Sequence, residues 1–270
     1  MNDPQPPFLG IPTLGRVVSQ TCTASQFIEP DYTRLAEEIQ QAPRLHRKQW
    51  EYIYMLRAME QLGLMESGKT GLGFGCGKEP LAVVMAKKGL RVTVSDIPPF
   101  DTSDSHWGSR NAMDLFYGGI CTEEVYNRQV GFRAVDMNAI PDDLGQHDFV
   151  WSCCALEHLG SLKAGIDFIL NSTKCLKPGG YGIHTTEFNT SSDTETLESP
   201  GLSLYRRCDL LDLQDLLVNH DCSLLPLNLY TGNLPEDKYV DLPPYEQKVH
   251  LKLLVESFAI TSVGLVLRKH

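Results

Sequence analysis

Gly73-Phe-Gly-Cys-Gly-Lys-Glu-Pro80 is the stretch whose reading decides the fold. A short apolar run precedes it and a helical pattern follows it, so a strand must stop, turn tightly and enter a helix. Glycines allow that turn and let a ligand approach the backbone, because no Cβ stands in the way. The helix then begins with free N–H groups that favour a polar or anionic ligand. Pro80 suits its first turn, and Gly89 suits its stop. Nineteen residues past Gly77, Arg91-Val-Thr-Val-Ser-Asp96 ends in an acid placed to accept from a ribose diol. Strand, glycine loop, helix, strand and acid make a nucleoside-binding βαβ unit.

Working outward, Phe132-Arg-Ala-Val-Asp-Met137 reads as a third strand ending in Asp-Met. Asp148-Phe-Val-Trp-Ser-Cys-Cys-Ala-Leu-Glu-His158 reads as a fourth strand running into a polar tip. A helix follows, then Leu176-Lys-Pro-Gly-Gly180, a turn into Tyr181-Gly-Ile-His-Thr-Thr186. Asp209 to His220 reads as a helix with Leu210, Leu213 and Leu217 inward, and Cys222 to Tyr230 and Phe258 to Lys269 as two last strands.

Taken in order, the glycine loop, Asp96, Asp136-Met137, Leu156-Glu-His158 and Leu176-Lys-Pro-Gly-Gly180 resemble the class I S-adenosylmethionine-dependent methyltransferases. The specific motifs cover residues 67 to 186. The resemblance implies an α/β fold, Rossmann-like, with a mostly parallel seven-stranded sheet, helices on both faces and an antiparallel C-terminal strand. It implies S-adenosyl-L-methionine as methyl donor and assigns a role to each matching position. Gly73, Gly75, Cys76 and Gly77 form the cofactor loop, with Gly75 and Gly77 flanking the amino-acid end. Asp96 accepts from the ribose hydroxyls, with Ile97 beside it. Asp136 accepts from the adenine amine, Met137 lies near its ring, and Cys153 faces cofactor and substrate.

Two positions depart from the pattern. Such loops carry an acid where this chain has Gly73 and a third glycine where it has Glu79. A partner for the methionine amino group must come from elsewhere, and the N-terminal segment is one source. Lys48 or Gln49 is a candidate for the methionine carboxylate. A nicotinamide dehydrogenase is the competing fold reading. Its Gly-x-Gly-x-x-Gly fingerprint does not match Gly73-x-Gly75-x-Gly77, and the Leu-Lys-Pro-Gly-Gly turn is foreign to it.

The chain has 270 residues and a net charge of −10. That length suits one α/β domain with additions. The expected division is an N-terminal extension, residues 1–66, capping the cofactor site, and a catalytic domain, residues 67–270. Rim loops are expected at 97–130, 187–206 and 231–249, with His106 and Trp107 in a lid or substrate wall. The acidic balance argues against nucleic acid and anionic membrane as partners. Eight cysteines without Cys-x-x-Cys pairs read as reduced thiols, and the N-terminus lacks a secretory pattern, so a cytoplasmic protein is expected. A homodimer is compatible with the sequence, which carries no specific interface pattern.

Methyl transfer from a sulfonium needs alignment and exclusion of water, and a hydroxyl acceptor must also lose its proton. His158 is the expected general base, with Glu157 orienting it, orienting the acceptor or binding a metal, and Glu187 able to supply an oxygen at the site. The same triplet resembles the metal site of small-RNA 2′-O-methyltransferases, but Cys154 stands at the first acid of that motif. Glu157 and His158 alone make a poor magnesium site, so a divalent metal is not favoured. The reading is an O-methyltransferase of a small hydroxylated molecule or glycan sugar. Its alternatives are an N-methyltransferase of a small amine and a non-catalytic cofactor-binding regulator.

Overall fold

The structure is a computed structural model that describes residues 10–97 and 108–270. The first nine residues of the proline-rich N-terminus, and His106 and Trp107 of the expected lid, lie outside the described residues.

In chain order, strand β1 (Ser19–Thr21) leads to helices α1 (Pro30–Glu38) and α2 (Arg47–Gln61). The βαβ unit follows as β2 (Thr70–Phe74), α3 (Leu81–Lys87) and β3 (Arg91–Asp96). Helix α4 (Glu123–Gln129) runs directly into β4 (Val130–Ala134). Then come β5 (His147–Cys153), α5 (Leu162–Ser172), the long β6 (Leu176–Asn189) and α6 (Arg207–Val218). The chain closes with β7 (Cys222–Leu224), β8 (Leu227–Asn228), α7 (Pro235–Lys238), β9 (Leu253–Val255) and β10 (Phe258–Lys269).

The strand order is β4-β3-β2-β5-β6-β10-β1-β8. From β4 to β6 every pairing is parallel, and β10 returns antiparallel to β6. β7 and β9 also pair antiparallel with β10. The expected mostly parallel sheet with its antiparallel last strand is therefore present, and β1, β8 and β9 extend it to ten strands. The stretch read as one strand from Cys222 to Tyr230 is broken into β7 and β8 across Leu225-Pro226, since proline cannot donate to a ladder.

Strand periodicity sorts side chains into two cores. Phe149 and Trp151 of β5 join one with α1, α2, α3 and α4, while Val150 between them joins the other with α5 and α6. The order reverses between β2 and β5, so a crevice opens beyond their carboxyl ends. Helix α2 buries Trp50, Ile53, Tyr54, Met55, Leu56 and Met59 over an unusually wide arc. Residues 14–27 and α1 cover its outer side, and Gln26 and Val18 accept from Trp50 Nε1 and Tyr54 Oη at 2.7 Å each.

Candidate functional site

The glycine loop crosses the crevice at the end of β2. Gly75 has φ +58°, and a Cβ there would lie 2.7 Å from Ala155 Cβ and 2.9 Å from Met137 Sδ. Gly77 has φ +51°. Such backbone suits glycine. Cys76 is buried, its N–H donating to Ser95 O at 3.0 Å, so it contributes backbone to the loop while its thiol packs underneath. Gly73 serves packing: a Cβ there would run into the Trp151 indole and Cys76 Sγ.

Asp96 ends β3 beneath the loop. Its carboxylate accepts from the N–H groups of Gly77 (3.1 Å), Ile97 (2.9 Å) and Ser109 (2.8 Å). The Ser109 hydroxyl adds a bond at 3.1 Å. The Ile97 side chain is exposed at the mouth of the crevice. Asp136 is half-buried, its Oδ1 accepting from Asn138 N at 2.8 Å, and Met137 is buried against the loop. Cys153 closes the far wall, 3.5 Å from both Glu51 Oε2 and Thr185 Oγ1. A loop that a Cβ would block, with a carboxylate at the next strand end, fits a nucleoside cofactor carrying an amino-acid tail.

Helix α2 sends charges into the same crevice. Glu51 is fully buried, with Lys48 Nζ at 2.8 Å and Arg47 Nη1 at 3.2 Å. Burial raises its carboxyl, but Lys48 and Arg47 outweigh that and hold it at about 2. Arg47 also reaches Glu187 at 2.7 Å. Gln49 lies elsewhere: its amide is spent on Tyr32 Oη, Arg44 N, Gln41 and Ala42 O. Arg47 and Glu51 were missed by sequence reasoning. Their signal was a trio of charges, Arg47, Lys48 and Glu51, on one face of an otherwise apolar helix.

Glu187 is not in a loop. Pairing of Ser262 with Glu187 carries β6 through it to Asn189, so its side chain is buried in the sheet. Glu157 is fully buried in a short 3-10 turn after β5, and Thr186 Oγ1 donates to its Oε2 at 3.1 Å. Side-chain ligand atoms of Cys154, Glu157 and Glu187 lie within 4.8 Å of one another. Cys154 holds φ +48°, a strained setting for a non-glycine residue. Among the described residues, Glu157 Oε1, Glu187 Oε2, Arg47 Nε and Ser203 Oγ are all buried without a hydrogen-bond partner. Burial, and then the charge of Glu157, push the Glu187 carboxyl up to about 7 against the pull of Arg47.

His158 is exposed, and its Nδ1 lies 2.7 Å from Gly201 O. The structure thus gathers Glu157 and Glu187 and sets His158 outside their cluster. Among the described residues, the close trio of metal-ligating type is Cys154, Glu157 and Glu187, and Arg47 already stands against Glu187.

The Methyltransferase domain family matches residues 32–220. None of the curated proteins matches the chain. A protein assigned as a sarcosine dimethylglycine methyltransferase, from Galdieria sulphuraria, shares the fold with a TM-score of 0.50 at 14% identity, covering 82% of this chain and 84% of that one. An assigned methyltransferase from Bacillus halodurans has a TM-score of 0.50 at 15% identity, covering 79% of this chain and 98% of that one. With the family spanning more than half of its length and a crevice that fits the cofactor, the chain belongs to the Methyltransferase domain family and is an S-adenosylmethionine-dependent methyltransferase.

Proposed function

We propose that the acceptor is a small hydroxylated molecule, glycan sugars included, and that it is methylated on oxygen. The observation that carries this reading is the pair of bare carboxylate oxygens, Glu157 Oε1 and Glu187 Oε2, buried at the tips of β5 and β6. Unpartnered acceptors in a dry site are costly unless a ligand donates to them. A hydroxyl does so, and then needs somewhere to leave its proton.

The bound cofactor supplies an activated methyl on a sulfonium, which is also the leaving group. Glu187, whose pKa is raised to about 7, takes the hydroxyl proton in its ionised form. Glu157, fixed by Thr186, orients the acceptor, and Arg47 anchors Glu187 through its other oxygen. In this reading His158 positions the 198–203 segment through Gly201. The acidic net charge suits a neutral polar acceptor better than a polyanion.

The test is transfer of a labelled methyl group from S-adenosylmethionine to matched hydroxyl and amine compounds, with the methylated atom located by mass spectrometry. Products on oxygen that fall about a hundredfold or more in Glu187→Gln support the reading. Methylation of the amine member of each pair alone would replace it with N-methylation.

A further inference from the structure

We propose that Glu79 stands in for the loop acid missing at Gly73, and that its carboxylate binds the α-amino group of S-adenosylmethionine. This goes beyond the acceptor reading and rests only on the cofactor assignment.

The first observation is steric. The space an acid at position 73 would enter is filled by the Trp151 indole and Cys76 Sγ. The second is where Glu79 points. Trp151 Nε1 donates to Glu79 Oε1 at 2.5 Å, so the carboxyl reaches back over the loop to the indole that blocks position 73. The loop has moved its acid from the strand end to the place where the family pattern has a glycine.

The third observation is that Glu79 has no cation of its own. It is 4% exposed, and no ion pair reaches it among the described residues. Lys48 faces it from α2 but lies 2.8 Å from Glu51. The other titratable groups that sense it are Tyr52 of α2, Cys76, Asp96 of β3, Tyr117 and Cys153 of β5. None of these brings a positive charge. A buried carboxyl so placed is costly to ionise, and burial pushes it up to about 8 despite Trp151 and Lys48. The free protein therefore holds Glu79 protonated at neutral pH. An arriving ammonium reverses that balance, and the proton leaves to the buffer as the ion pair forms.

The experiment is calorimetry on the full chain at pH 7, in two buffers of different ionisation enthalpy. The probes are S-adenosylhomocysteine and 5′-methylthioadenosine, which keeps the nucleoside and lacks the amino-acid end. The expected result is net proton release with the first probe and none with the second. Glu79→Gln keeps an acceptor for Trp151. It abolishes the release and weakens S-adenosylhomocysteine about tenfold or more, with methylthioadenosine within about twofold. Unchanged thermal melting separates this from misfolding. Tight binding of S-adenosylhomocysteine without proton release, unchanged in Glu79→Gln, overturns the proposal and leaves the cofactor assignment standing. A folded wild-type chain that binds neither probe overturns both.

Discussion

The Arg47 guanidinium lies 2.7 Å from the Glu187 carboxylate and so bolts the first turn of α2 onto the end of β6. The same Nη1 is 3.2 Å from Glu51, which makes one arginine the counter-ion of two buried acids. Removing one partner of a buried pair leaves uncompensated charge and costs about 3–5 kcal/mol. Arg47→Met is expected to lower stability by that order in urea denaturation. Adding Glu187→Gln to it should change little at pH 7, because without the pull of Arg47 burial keeps the Glu187 carboxyl protonated.

Restoring the usual loop acid by Gly73→Asp is expected to harm the protein. Its Cβ meets the Trp151 ring and Cys76 Sγ, and overpacking of this kind costs about 1–3 kcal/mol. Affinity for S-adenosylhomocysteine should fall or stay level. A tighter, equally stable variant would show that the position is open to an acid after all.

Asp96 holds the loop through Gly77 N, and the family resemblance assigns it the ribose hydroxyls. Hydrogen bonds to a charged group are worth about 1.5–3 kcal/mol. Asp96→Asn is therefore expected to weaken S-adenosylhomocysteine about tenfold to a hundredfold, as read by calorimetry.

Acid should destabilise the fold through His184. The ring is fully buried against Phe168 of α5, with Nδ1 2.8 Å from Ser152 Oγ and Nε2 unpartnered among the described residues. Burial lowers its pKa from 6.5 to about 3, so below pH 6.5 the unfolded chain takes up a proton that the folded one refuses. Stability then falls as pH drops from 6.5 toward 3, by up to about 1.4 kcal/mol per pH unit. His184→Gln should flatten that slope in urea titrations at pH 6.5 and 5.

Glu187 works in the opposite sense. Its folded pKa is raised from 4.5 to about 7, so its contribution is complete below pH 4.5 and is lost as pH rises through 7. Glu187→Gln should remove the part of the decline between those limits. An unchanged profile would mean that Glu187 is ionised throughout, with its charge met by Arg47.

The glycine-loop half of the crevice was legible because it is local. Gly75, Gly77, Asp96 and Met137 sit where a strand, a turn and a helix must follow one another, and residue order alone places them. The acidic half was not, because it is assembled across distance. Arg47 and Glu51 come from an N-terminal helix, Glu157 from a turn after β5, and Glu187 from a strand that the local pattern ends too soon. Only the partner strand β10 extends β6 through Glu187, and only that burial makes its carboxyl hard to ionise. β1 escaped notice for the same reason: Ser19-Gln-Thr21 has no apolar period, and it is a strand because β10 and β8 flank it. The sequence by itself determined the βαβ unit, the place of the glycine loop and the family. The tertiary structure decided which acids meet and which oxygens are left bare, since electrostatics in a dry crevice depends on neighbours in space.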